Sequence, residues 1–537
     1  MTCLWQPGPA RVAGTLLTRF TEAARERAGQ AFPDYAALHR WSVDDRAAFW
    51  NLVWDFCGVV AETRGERTIE RDGEMPGARF FPDAKLNFAQ NLLRRRDDAP
   101  ALVFRNEPGH TTTWSWQRLY DEVNRVAAGL AAAGLKPGDR VGAIMPNIPE
   151  AIVAMLATTA LGGIWSSCSP DFGAQGILDR FDQIAPTVLI TVDGYWYAGK
   201  VNDIRGKAAD IRAALPSVRA FVGVPFVGCG EVPGATPLDD FKREPAGSDI
   251  PFVSLPFNHP LYILYSSGTT GKPKCIVHGA GGTLLQHLKE HQLHADVHPG
   301  DRLFYFTTCG WMMWNWLVSG LASQATLLLY DGSPFHPDGH PLFDYAAEAR
   351  CTHFGTRAFP PMAVGFWGEP DGAKYRAAYF ERFPNVWAHG DFAEVTAHDG
   401  FVIYGRSDAT LNPGGVRIGT AEIYRQVEKF EEVVESVAIG QDWDGDVRVV
   451  LFVVLKPGLA LEESLQGRLR QQIRAGASPR HVPARIVQVT DIPRTRSGKL
   501  TELAIRDVVH GKAIKNAEAL ANPEALEQYR NRPELAD

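Results

Sequence analysis

Between Trp114 and Tyr265 the sequence alternates helix signals with short apolar runs, and that rhythm limits the fold more than any other feature. Leu119, Val123, Val126 and Leu130 recur at helical spacing, so residues 114–134 read as one amphipathic helix. Ser115 can cap its start, and Gly134 sits where a C-terminal cap belongs. Pro137-Gly138-Asp139 then turns the chain into a strand from Arg140 to Met145, a helix from about Glu150 and a strand near Gly163–Ser166. Val188–Val192, Ala220–Val224, Leu261–Tyr265 and Leu327–Tyr330 continue as short apolar strands. Helix and strand in turn argue for a layered α/β domain with parallel strands.

A chain of 537 residues exceeds what one core supports, so two or more domains are expected. Near the N-terminus, Trp41, Phe49, Trp50, Leu52 and Trp54 read as an aromatic packing cap. After a boundary at Tyr404–Asp408 the pattern changes. Val433–Ile439 and Arg448–Leu455 read as paired strands, Leu465–Ala475 as a helix and Ala484–Val489 as a strand. The expected division is a large layered α/β domain over 1–405 and a small α+β domain over 406–537.

Charge and cysteine usage exclude several functions. The net charge is −7, which gives no electrostatic footprint for nucleic acid. The seven cysteines are odd in number, widely spaced and without a Cys-x-x-Cys pair, as in a reducing compartment rather than a disulfide frame or zinc site. No secretory leader is read at Met1–Trp5. The longest uncharged run, Ala151–Pro170, is broken by Gly162-Gly163 and is too short to span a bilayer. A soluble cytoplasmic protein, with no membrane or nucleic-acid partner, is expected.

The strand at Leu261–Tyr265 runs straight into Ser266-Ser267-Gly268-Thr269-Thr270-Gly271-Lys272-Pro273-Lys274. Glycines admit close backbone approach, the hydroxyls and amides donate to phosphate oxygens, and the lysines add charge. It is no Walker A loop: Gly268 and Gly271 are too close together and Pro273 follows the lysine. Further motifs follow in order. His389-Gly390-Asp391 precedes Tyr404-Gly405-Arg406-Ser407-Asp408, then come Gly414–Ile423 and Pro493-Arg494-Thr495-Arg496-Ser497-Gly498-Lys499.

This series resembles the adenylate-forming superfamily of acyl-CoA synthetases. Trp165–Gly173, Cys309–Trp316 and Ser407–Gly415 resemble its acetoacetate–CoA ligase branch in particular. The resemblance implies that family's fold, with a mobile C-terminal lid domain. It implies that acetoacetate attacks the α-phosphorus of ATP to give an acyl-adenylate and pyrophosphate, after which the CoA thiol displaces AMP. The protein's share is to position the groups and neutralise charge. Carried over by motif, Ser266, Ser267, Gly268, Thr269, Thr270, Gly271 and Lys274 hold ATP phosphates, with Arg417 as a further phosphate contact. Asp391 and Arg406 hold the ribose, and Lys499 bridges the carboxylate and α-phosphate as the catalytic residue. Asp408 is the interdomain hinge and Trp311 an acyl-pocket wall, against the alternative of a core tryptophan. Mg²⁺ accompanies ATP, and no resident metal is expected.

Two patterns imitate metal sites. His287, His291 and His294 fall on one face of a predicted helix, with His298 beyond, but lack a cysteine or carboxylate partner. Asp442, Asp444 and Asp446 suggest a calcium loop, yet the glycine is misplaced and no glutamate closes it. A strand-connecting turn fits better.

The chain also departs from the family. After Cys351-Thr352-His353-Phe354-Gly355-Thr356 the text passes directly to Arg357–Trp367, a stretch found much later in relatives. About a hundred residues of the family pattern are missing there, including the Ser-Gly-Gly-Thr-type motif of the adenine and acyl pocket. The large domain is therefore expected to be incomplete. Two alternatives to a working ligase follow: a catalytically impaired relic, and an enzyme that adenylates an acid for a non-CoA acceptor.

Overall fold

In the computed structural model the described residues are 7–536, apart from 246, 248, 266–272, 339, 356–364, 367–375, 377–390, 396–400, 407–410, 412–419, 445, 477–478, 495–500 and 513–519. They separate into two compact units. The larger draws on Met1–Tyr265 and Cys275–Gly372, the smaller on Ser266–Lys274 and Ala373–Asp537.

Two sheets form the larger unit. The first has eight strands in the order Thr236–Pro237, Ala220–Val224, Val188–Val192, Arg140–Ile144, Ile164–Cys168, Pro260–Tyr265, Cys275–Gly279 and Gly365–Phe366. Its first six strands pair in parallel. The next two pairings, from Pro260–Tyr265 onward, are antiparallel. The second sheet has five strands, ordered His353–Gly355, Arg302–Tyr305, Thr326–Asp331, Pro100–Asn106 and Thr111–Ser115.

The helix expected over 114–134 spans Trp116–Ala132, because Thr111–Ser115 is spent as an edge strand. Ser115 Oγ accepts the Arg118 N–H at 3.2 Å, satisfying one of the helix's free amides. Gly134 follows the helix at φ 81°, a left-handed conformation open to glycine at no steric cost. The uncharged run is a buried helix, Pro149–Ala160. Gly162 ends it at φ 79°, where a Cβ would stand 2.9 Å from the Leu255 side chain. Among the described residues no helix is long and apolar enough to cross a membrane.

The N-terminal aromatics pack as expected. Leu52, Val53 and Trp54 are buried on the helix Arg46–Phe56, and the Trp41 and Phe49 rings meet edge to face at 6.1 Å.

In the smaller unit Val433–Trp443 and Asp446–Leu455 form a long antiparallel pair, joined in parallel by Arg485–Gln488. Helices Thr420–Val427 and Glu463–Gly476 pack through Ile423, Val427, Leu469 and Ile473 against Ala438, Leu451 and Val453. Trp443 pairs with Asp446 and Asp444 has φ 48°, so the three aspartates mark a hairpin turn. Among the described residues no group of three or more His, Cys, Asp or Glu could hold a metal ion.

Candidate active site

Tyr265 and Cys275 are register partners at the end of an antiparallel pair, so residues 266–274 connect two strands of the central sheet. Of the proposed phosphate contacts, Ser266, Ser267, Gly268, Thr269, Thr270, Gly271 and Arg417 lie outside the described residues, as do Asp408 and Lys499. Lys274 is described and exposed.

What precedes the loop is rigidly held. Tyr265 shares a 2.8 Å hydrogen bond with Ser166, whose Oγ also donates to the Ile263 carbonyl at 3.0 Å. Burial pushes the Tyr265 hydroxyl far above its usual pKa, so it acts as a neutral partner. The Arg180 guanidinium lies over the rings of Phe172 and Tyr265, at 4.6 and 5.7 Å. Lys207 Nζ donates to the carbonyls of Pro170 and Phe172 at 2.6 and 3.0 Å, pinning the loop after Ile164–Cys168.

The 165–173 and 309–316 motifs, distant in sequence, meet here. Ser167 Oγ donates to the Cys309 carbonyl at 2.7 Å and accepts from Trp165 Nε1 at 3.1 Å. Trp165 and Trp314 stack at 6.2 Å, and Trp314 Nε1 donates to Asn147 Oδ1 at 2.9 Å. Both of those rings are fully buried, whereas Trp311 is 36% exposed. Trp311 caps the helix Met312–Ser319 with extended backbone, which turns it away from the core tryptophan alternative.

Asp331 was not singled out by sequence reasoning. It ends the strand Thr326–Asp331, and its Oδ2 is buried without a hydrogen-bond partner. Burial first, and then the nearby Glu107 charge, push its carboxyl up to about 8, so at neutral pH it is mostly protonated. Glu107 in turn accepts the N–H groups of Ala198, Gly199 and Ser333 at 2.9, 2.5 and 2.6 Å. An acidic residue closing an apolar run was the only sequence signal for Asp331.

In the smaller unit, Asp391–Val395 and Phe401–Arg406 form an antiparallel pair in which Asp391 stands opposite Arg406. The ends of two further motifs also come together. Glu502, just after the Pro493–Lys499 motif, accepts from Thr420 Oγ1 at 2.9 Å and from the Tyr424 hydroxyl. Thr501 Oγ1 donates to the Pro493 carbonyl at 2.8 Å, and Arg494 pairs with Glu435 at 2.7 Å. Both flanks of that motif are thereby anchored.

The histidines do not converge on a metal. The helix Ala280–Lys289 gives way to a wider π turn over Glu290–His294. His287 and His291 are buried and His294 is exposed. His291 Nε2 lies 3.0 Å from the Trp316 carbonyl and 3.1 Å from Ser319 Oγ.

Comparison with known proteins shows the family. The family model for the AMP-binding enzyme matches residues 88–472, and that for the acetyl-coenzyme A synthetase N-terminus matches 35–92. The chain is 49% identical to an acetoacetyl-coenzyme A synthetase of Rhizobium meliloti, covering 99% of each chain. It is 35% identical to the mouse acetoacetyl-CoA synthetase, over 99% of this chain and 97% of the relative. The solved acetoacetyl-CoA synthetase of Streptomyces lividans aligns with a TM-score of 0.88 at 36% identity, covering 98% of this chain and 99% of that one. The Rhizobium alignment runs over 646 positions, so at least 109 of them carry no residue of this 537-residue chain.

Proposed function

The chain belongs to the AMP-binding enzyme family and groups within it with the acetoacetyl-CoA synthetases, and on that premise we propose that it ligates acetoacetate to CoA through an acyl-adenylate. A free carboxylate is a poor electrophile, and adenylation supplies the leaving group that thiol attack requires. The observation that carries this reading is the whole-chain similarity at 49% identity, which spans all the motifs named above.

In this reading the 266–271 loop, Lys274 and Arg417 hold the phosphates. Asp391 accepts hydrogen bonds from the ribose hydroxyls with Arg406 beside it, a role supported by their opposed positions on one strand pair. Lys499 neutralises charge between the carboxylate and α-phosphate. Asp408 is the hinge between a large domain over 1–405 and a mobile domain over 406–537. Trp311 walls the acyl pocket, and its exposed indole is available for that contact. Mg²⁺ enters as the ATP complex, because it screens polyphosphate charge. The substrates are small molecules, nucleic acid and membrane are not partners, and the cytoplasm is the place of action.

Pyrophosphate exchange into ATP, dependent on acetoacetate, tests the proposal. Exchange that is lost in Lys499→Ala is the expected result, and acetoacetyl-CoA should form once CoA is added. The absent positions make a second protein necessary, one with the missing segment restored from a relative. Exchange by the restored chain alone would move the reading to an impaired ligase. Adenylation without acyl-CoA release would move it to a different acceptor.

A further inference from the structure

The short turn that ends in Trp311 is clamped by two other chain segments. The Trp311 N–H donates to the Thr308 carbonyl at 3.1 Å, so 308–311 is a hydrogen-bonded turn with Cys309 and Gly310 at its centre. Cys309 is fully buried. Its Sγ donates to the Pro146 carbonyl at 3.1 Å, and its own carbonyl accepts from Ser167 Oγ at 2.7 Å. Gly310 presses on the loop that follows Ile164–Cys168. A Cβ there would stand 3.3 Å from the Ser169 nitrogen and 3.4 Å from the Phe172 ring. Pro146 lies just beyond Arg140–Ile144, the parallel neighbour of Ile164–Cys168. The turn therefore sits at the carboxyl ends of two parallel strands, where open α/β sheets bind ligands.

Ser167 has the central place among these contacts. Trp165 and Ser167 are two residues apart on one strand and share a face. The indole N–H of Trp165 can only donate. It donates to Ser167 Oγ at 3.1 Å, which leaves the Ser167 proton for the Cys309 carbonyl. Loss of the hydroxyl would strand a buried indole N–H and remove the donor that holds the middle of the turn, a penalty larger than the net worth of either bond. Trp311 is two residues further on, so slack at Cys309 reaches its backbone directly. Trp314 keeps its own anchors in Trp165 and Asn147. An aromatic wall discriminates acids by length only if it does not yield, and one methylene against a firm pocket is worth about 10–200-fold.

We propose that Ser167 is a specificity-determining positioning residue, which fixes the 308–311 turn and so holds the Trp311 indole at the depth that favours a four-carbon acid. The effect on acid length rests on the ligase reading and on Trp311 as the acyl-pocket wall, whereas the anchoring of the turn does not.

The test compares kcat/KM for acetoacetate and for 3-oxohexanoate in the wild type, Ser167→Ala and Trp311→Ala, with amide hydrogen exchange across 308–314 measured on the same proteins. Partial misfolding lowers both rates alike, so their ratio does not respond to a merely structural role. The expected result for Ser167→Ala is a preference for acetoacetate reduced about tenfold, a KM changed more than kcat, and faster exchange in the turn. An unchanged ratio in Ser167→Ala beside a reduced one in Trp311→Ala overturns the role of Ser167 and leaves the wall reading standing. An unchanged ratio in both variants overturns the wall reading and the proposal together. Should the wild type show no ligase activity, the ligase reading falls for this chain and exchange alone decides, with equal rates in wild type and Ser167→Ala overturning the anchoring. If Ser167→Ala does not fold, Gly310→Ala replaces it, pressing a methyl group on Ser169 from the other side of the turn. A reduced ratio is again expected, and an unchanged one overturns the proposal.

Discussion

Lowering the pH from 7 to 5 should weaken the larger unit through its buried histidines, and the size of the effect can be worked out. Burial pushes His278 down to about 4. His291 is also pushed down to about 4, by burial first and partly offset by its bond to the Trp316 carbonyl, with His353 adding to the depression. His287 moves the same way. The unfolded chain then takes up protons at a pH where the folded chain does not. Such a histidine stabilises fully above its unfolded pKa, and that stability is lost as pH falls toward the folded one. Each of His278 and His291 therefore loses about 2 kcal/mol between pH 7 and 5, or about 4 kcal/mol together.

Asp331 opposes this trend. Its carboxyl is raised by burial and by Glu107, so acidification through about 8 favours the folded form. Burial raises Glu150 and Glu290 as well. The overall slope is thus mixed, and the informative quantity is a difference. Urea midpoints followed by tryptophan fluorescence across this range, for the wild type and for His278→Gln/His291→Gln, isolate it. The double variant starts less stable but should lose about 4 kcal/mol less on acidification. Parallel pH slopes in the two proteins would refute the assignment of neutral, buried imidazoles.

Three shorter tests bear on other parts. Asp193 is buried and accepts the N–H groups of Phe226, Val227, Gly228 and Cys229 at 2.8 to 3.0 Å, so Asp193→Asn, which keeps one acceptor and adds a donor, should cost about 3 kcal/mol or more in urea unfolding. Trp311→Ala should leave urea stability within about 1 kcal/mol, since the indole is partly exposed, while raising the KM for acetoacetate and admitting longer acids. On the proposed ribose role, Asp391→Ala should weaken ATP binding in calorimetry by about tenfold or more, the size expected for losing one charge-assisted hydrogen bond.

Much of the local structure was legible. Val188–Val192 and Ala220–Val224 have the same ends as read from sequence, because a short apolar run bounded by polar and turn residues is already a buried strand. The helix start was misread by two residues, since strand pairing with Pro100–Asn106 claimed Thr111–Ser115. Leu327–Tyr330 was legible as a strand but not as a member of a second sheet. One partner, Arg302–Tyr305, is the preceding strand, but the other, Pro100–Asn106, lies more than two hundred residues away in sequence. The histidine row failed as a helical face because the π turn at Glu290–His294 changes the angular step, and that turn has no signal in residue spacing.

By itself the sequence determined the α/β rhythm, the motif series and hence the family, because these depend on local periodicity and on residue types held at short spacing. Only the tertiary structure decided which side chains face which environment. It buried Trp165 and Trp314 while leaving Trp311 partly exposed, joined Ser167 to Cys309, and set Asp391 opposite Arg406. It also sealed the Asp331 carboxyl oxygen from water. Burial and pairing sum over residues that chain connectivity keeps apart, so no window of sequence contains them.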